Sequence, residues 1–313
     1  MKYLIFGMGG VGASIAERLI SQKKDVSAIA RGSHLEALQN QGLTIERTFG
    51  EKSKIEIPHA TTSEDYSDTP DVVFLCMKGY SLESCYPLIE RCCTKDTVVI
   101  PLLNVYGTGQ QLAAHFRNSM GENAPTCSDG CIYVSAELLS PGVLRETGPL
   151  CRIVFGLPFA KIQPEILKTI ANDVTSERLV CDLSEDIRLD ALKKFSYVSP
   201  MGATAIIHHS NAGDIASGTP ARQTFIEAIQ EVVAIGKAMG IDIDESVVEA
   251  NLAIAEKLDP TATTSMQRDI EAERQSEFDG LINEVIRLGK RYGIPTPTYD
   301  EALKSVELFS LCH

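Results

Sequence analysis

Six residues near the N-terminus, Gly7-Met8-Gly9-Gly10-Val11-Gly12, constrain the fold more than any other stretch. They follow a short apolar run, Lys2–Phe6, and open a helical pattern over about 10–22. Strand, glycine turn and helix start come in the order of a GxGxxG dinucleotide-binding turn. In that reading Gly7 makes the tight turn, Gly9 lets backbone approach a pyrophosphate, and Gly12 lets the helix pack close to the strand. The N–H groups at the helix start, from Gly9 through Gly10 and Val11 to Gly12, then face the phosphates, where the helix dipole favours negative charge.

The type of dinucleotide is read from the end of the second strand, Asp25–Ala30. An acidic residue there holds the ribose 2′-hydroxyl of NAD, whereas an arginine suits a 2′-phosphate. The chain has Arg31, whose planar fork of donors matches phosphate, so the expected cofactor is NADPH. That phosphate must be held locally, because the net charge of −13 disfavours nucleic acid or an anionic membrane as a partner. No apolar run approaches membrane-spanning length, and the apolar stretch at the N-terminus is too short for a signal peptide. Nine cysteines without a CxxC pair, and histidines without ligand spacing, read as small core residues in a reducing cytoplasm, with no metal site.

Strand and helix patterns alternate through the first half. Asp71–Met77 and Thr97–Pro101 are nearly all apolar, as strands buried on both faces of a parallel sheet are. Lys78 and Asn104 follow at or near their carboxyl ends, where ligands of such sheets bind. Thr44–Glu46 and Lys54–Ile57 read as a strand pair. Segments 131–135, 142–146 and 151–155 read as three short strands in an antiparallel extension of the same sheet. Beyond Ser184 the pattern is helical only, beginning with a stretch over 185–208 that Pro200 and Gly202 should kink. The expected fold is therefore α/β, an N-terminal Rossmann-type doubly wound sheet, residues 1–182, with an all-helical C-terminal domain, residues 183–313.

A nicotinamide enzyme needs an acid or base within reach of the carbonyl being reduced. The helical half offers Lys194 and Glu277, each in a charge-rich segment that by itself reads as an exposed face. The whole chain, however, resembles ketopantoate reductase (2-dehydropantoate 2-reductase). The matching pieces are Gly7–Gly12, Arg31, Lys78, Asn104, Glu146-Thr-Gly-Pro-Leu, Lys194-Phe195, Thr264–Asp269, Arg274–Asp279 and Gly293–Pro297. The resemblance implies NADPH-dependent reduction of a 2-oxoacid, ketopantoate to pantoate as in pantothenate biosynthesis. It makes Lys194 the catalytic lysine that polarises the ketone and supplies a proton, and Glu277 the acidic partner on the substrate hydroxyl. Ser265 helps hold substrate, Asn104 is an amide near nicotinamide and substrate, and Lys78 lies at the cofactor side.

The chain departs from the family's pattern around that lysine. Asparagines one and two turns after it are Val198 and Gly202 here, the amide sits in Leu103-Asn104-Val105, and the asparagine five residues after the glutamate is Ile282, followed by Asn283. Lost amides change which substrate a buried pocket accepts, so a related 2-ketoacid is the alternative substrate. Two further alternatives are another two-domain dehydrogenase, of the beta-hydroxyacid or glycerol-3-phosphate type, and a non-catalytic NADPH-binding sensor. The helical half leaves room for a homodimer as well as for a monomer.

Overall fold

The computed structural model describes residues 1–311, with side chains through residue 306; Cys312 lies outside the described residues. The strands in chain order are β1 (Lys2–Phe6), β2 (Asp25–Ile29), β3 (Leu43–Arg47), β4 (Ser53–Ile55), β5 (His59–Thr61), β6 (Val72–Leu75), β7 (Val98–Pro101), β8 (Thr126–Cys127), β9 (Asp129–Ser140), β10 (Val143–Gly156) and β11 (Val180–Leu183). Between them run α1 (Gly10–Ser21), α2 (Gly32–Gln41), α3 (Tyr86–Cys92), α4 (Thr108–Met120) and α5 (Glu165–Val174). After them come α6 (Ile187–His208), α7 (Ala212–Ala216), α8 (Pro220–Ala238), α9 (Ser246–Ala255), α10 (Ser265–Glu271), α11 (Glu284–Tyr292) and α12 (Pro297–Leu311). The architecture is α/β: a parallel Rossmann-like sheet followed by a helical C-terminal region. Two compact units result: 1–103 with 107–190, and 191–313 with the short segment 104–106.

In the first unit six strands make an all-parallel sheet in the order β5-β2-β1-β6-β7-β8. The chain runs outward from β1 to β2 and β5, then returns to the other side of β1 as β6, so strand order reverses between β1 and β6. Alternate residues of these strands feed two cores: Tyr3, Ile5, Val72 and Phe74 one, Leu4, Phe6, Val73 and Leu75 the other. That is why β1 and β6 read as unbroken apolar runs. Cys85, Cys93 and Cys127 fill the second core, and burial pushes their thiols up to about 12. Such thiols stay protonated and inert at neutral pH.

The strands expected to extend this sheet do not join it. β9, β10, β3, β4 and β11 form a separate sheet, and the two segments read as 142–146 and 151–155 are one long strand, β10. β10 pairs antiparallel with β9, but parallel with β3 and with β11. Its register with β9 shifts between Glu146 and Cys151, the interruption that split it in the sequence reading.

In the second unit the long helix runs through Pro200 as a single element. It is held by polar as well as apolar contacts. The buried Ser199 hydroxyl donates to the Leu281 carbonyl at 2.6 Å and lies 2.8 Å from the Tyr299 hydroxyl, while the Asn251 amide donates to the Ser196 carbonyl at 2.9 Å. Buried polar groups paired this way fix the helices around α6 in one register.

Candidate functional site

In the first unit the glycine turn has the expected geometry. Gly7 adopts φ +97°, and a side chain there would press on the backbone of Cys76 and Met77 at 3.1–3.3 Å, just past the end of β6. A Cβ on Gly12 would collide with the Gly7 carbonyl oxygen, and one on Gly10 with the Ala136 carbonyl of β9. Gly9 is different: a Cβ there meets nothing within 4 Å. Protein packing thus explains Gly7, Gly10 and Gly12 but leaves space above Gly9, the space a close-lying pyrophosphate would fill. Gly9 is also the N-cap of α1, without a side-chain cap and with no acidic residue in the first turn, so the helix start suits an anion. Met8 is buried and Val11 half-buried in the same turn.

The other positions expected on the cofactor side, Arg31 and Lys78, lie in this unit too. Arg31 is exposed and is the N-cap residue of α2, two residues past the carboxyl end of β2. Lys78 is half-buried and is the N-cap of the short 3-10 helix Gly79–Cys85, three residues past the end of β6. The switch of strand order, the glycine turn and Lys78 therefore share the carboxyl end of the sheet's central strands.

Sequence reasoning passed over His34. Its ring lies 2.8 Å from the Met8 carbonyl through Nε2, and its Nδ1 accepts from the Gly142 amide at 3.0 Å. It is a single histidine in a helix start of mixed polar and apolar residues, and no motif spacing pointed to it.

The second unit brings together Lys194 and Asn104, ninety positions apart: the Lys194 ammonium donates to Asn104 Oδ1 at 2.9 Å. Lys194 is half-buried whereas Lys193 is exposed. Phe195, the next residue, packs on Tyr106 with ring centroids 6.0 Å apart, which ties the 104–106 segment to α6. Val105 occupies the space above Gly280, where a Cβ would come within 2.6 Å of its methyl group. Glu277 lies one turn before Gly280 and is only 4% exposed; its carbonyl accepts from Leu281 at 3.0 Å. Ser265 is the first residue of α10, whose N-cap Thr264 accepts from the Gln267 amide at 3.0 Å. The next residue, Met266, puts its methyl against Gly202, 2.6 Å from where a Cβ would stand. A thioether thus fills the space where the resemblance expects an amide. Asn283 does not replace the amide missing at 282, because its side chain donates to Asp279 at 3.1 Å.

Two family profiles match in sequence order and cover most of the chain: "Ketopantoate reductase PanE/ApbA" over residues 3–158 and "Ketopantoate reductase PanE/ApbA C terminal" over 186–308. The chain belongs to the ketopantoate reductase PanE/ApbA family. It is an oxidoreductase of that family, acting on a CH–OH group with a nicotinamide cofactor. It is 25% identical over 318 residues to the 2-dehydropantoate 2-reductase of Aquifex aeolicus (strain VF5), covering 99% of this chain and 98% of that one. An uncharacterized oxidoreductase, YkpB, of Bacillus subtilis (strain 168) is 24% identical over 309 residues, covering 99% of both. Among solved structures, D-mandelate dehydrogenase with NADH and anilino(oxo)acetate superposes with a TM-score of 0.87 at 21% identity, over 98% of each chain. Among the described residues no helix is long and apolar enough to cross a membrane.

Proposed function

We propose that this chain reduces a 2-oxoacid to the 2-hydroxyacid with NADPH, with 2-dehydropantoate (ketopantoate) as the leading substrate and a related 2-ketoacid as the alternative. Residues 1–182 are the cofactor-binding part of this proposal and 183–313 the part that carries substrate and catalytic groups. The observation that carries it is the 2.9 Å bond from Lys194 to Asn104 in the helical unit of a chain of this family.

Bound NADPH supplies the hydride. Gly9 and the start of α1 hold its pyrophosphate and Arg31 its 2′-phosphate, with Lys78 on the cofactor side. The Lys194 ammonium hydrogen-bonds the ketone oxygen, stabilises the alkoxide as it forms and transfers a proton to it, which completes the hydroxyl. Asn104 Oδ1 can only accept from the ammonium, so it aims one donor away from the ketone and fixes the direction of the others. A fixed ammonium helps most where charge is greatest, in the transition state. Ser265 and Glu277 bind the substrate, the latter through its hydroxyl.

The test is NADPH oxidation with ketopantoate and a panel of branched and aromatic 2-oxoacids, by wild type, Lys194→Ala and Lys193→Ala. Wild type turns over at least one of them. Lys194→Ala lowers kcat about 10³-fold with NADPH affinity little changed, and Lys193→Ala stays near wild type. NADPH binding without turnover of any 2-oxoacid replaces the enzyme with a non-catalytic NADPH-binding protein.

A further inference from the structure

One imidazole joins three distant points of the first unit. The Gly142 amide donates to His34 Nδ1 at 3.0 Å, and His34 Nε2 stands 2.8 Å from the Met8 carbonyl oxygen. A backbone amide can only donate and a carbonyl can only accept, so Nδ1 is bare and Nε2 carries the hydrogen. The ring is neutral and held in one tautomer.

Each end of this bridge bears on phosphate. Met8 lies inside the glycine turn, between Gly7 and Gly9, with its side chain 3% exposed. Its carbonyl orientation sets the peptide plane that leads into Gly9, the N-cap of α1. His34 lies in the first turn of α2, three residues after the N-cap Arg31, and Leu35 donates back to the Arg31 carbonyl at 3.3 Å. Gly142 sits in the turn between β9 and β10, and its carbonyl accepts from Thr44 of β3 at 2.8 Å. The same β9 brings the Ala136 carbonyl against Gly10. The second sheet thus buttresses the glycine turn twice, once by direct packing and once through His34.

We propose that His34 is a positioning residue for the dinucleotide: it holds the glycine turn and the start of α2 in register, so that pyrophosphate and 2′-phosphate are met by a single preorganised frame. The proposal rests on the reading of this unit as the NADPH site. Preorganisation lowers the ordering cost of binding, and its loss is felt in affinity. NADPH should depend on it more than NADH, because only the 2′-phosphate uses Arg31 as well as the turn.

The experiment compares wild type, His34→Ala, His34→Leu and His34→Gln as full chains. Dissociation constants for NADPH and NADH are measured by calorimetry, and melting is followed without ligand. Glutamine offers one donor and one acceptor and can remake both bonds; alanine and leucine can make neither, and leucine keeps the packing volume. Expected is an NADPH dissociation constant raised about tenfold in the alanine or leucine variant, whichever folds. NADH should be raised less, and glutamine should recover most of the loss. A dissociation constant within twofold of wild type in a folded alanine or leucine variant, even one that melts earlier, overturns the role and leaves a structural staple. Wild type that binds neither dinucleotide overturns the cofactor reading itself, a separate result.

Discussion

Gly9 and Gly12 look alike in the sequence and differ in what they do. Alanine at 12 drives a methyl into the Gly7 carbonyl, which is backbone and cannot swing aside. Alanine at 9 meets only open space, at an ordinary negative φ of −69°. Gly12→Ala should therefore cost about 1–3 kcal/mol or more of stability without ligand. Gly9→Ala should leave the ligand-free melting temperature within about a degree and weaken dinucleotide binding at least tenfold. Melting curves and titrations of the two variants check the separation. A Gly9→Ala protein that binds like wild type would mean that no ligand lies close above the turn. The motif itself was legible because its glycines answer to local backbone geometry. His34 was not, because its two bonds reach 26 and 108 positions along the chain, and nothing at that spacing marks a residue.

Among the elements, β10 is where the sequence misled most. Its parallel partners β3 and β11 come from far before and just after it, and such pairing leaves no local pattern to read. Glu146, near the start of this strand, is fully buried and explains the strand's placement. It accepts from Arg18 of α1 at 2.5 Å and from Arg47 of β3 at 3.0 Å, while Glu17 of α1 pairs with Arg178 at 2.8 Å. The resemblance had marked Glu146 without giving it a role; in the structure it locks the helix behind the glycine turn to the second sheet. Burial by itself would raise its pKa, but the hydrogen bond and charge of Arg18, with Arg47 beside it, hold the carboxyl below its ordinary 4.5. Glu146→Gln leaves Glu17, at 3.8 and 3.3 Å, as the remaining carboxylate beside the Arg18 and Arg47 guanidinium groups and should cost about 3 kcal/mol. The carboxylate's contribution is fully present above pH 4.5 and is lost as pH falls through the lowered folded-state value. Denaturation of both proteins across pH therefore gives a gap that is constant near neutrality and closes in acid. A gap that is unchanged in acid would place the lost stability elsewhere.

At the scale of the whole molecule, a chain of net charge −13 is expected to take up a dinucleotide carrying several negative charges. Long-range repulsion is screened within about 10 Å at ordinary salt, so the local frame of Gly9, α1 and Arg31 decides the outcome. Ligand that binds only the folded state stabilises it by about 2.7 kcal/mol at a hundred times its dissociation constant. For a unit of this size that is a rise in melting temperature of roughly 5–10 °C. A charge-assisted bond from Arg31 to the 2′-phosphate should make NADPH about 10–100-fold tighter than NADH. At equal concentration NADPH should therefore give clearly the larger shift, and Arg31→Ala should shrink the NADPH shift to that of NADH while leaving the NADH shift alone. Thermal melts of the two proteins with each dinucleotide make the comparison. An equal or larger shift with NADH in the wild type would assign this chain NADH and reduce Arg31 to a solvated strand-end charge, because a preference for the 2′-phosphate has to show as binding energy.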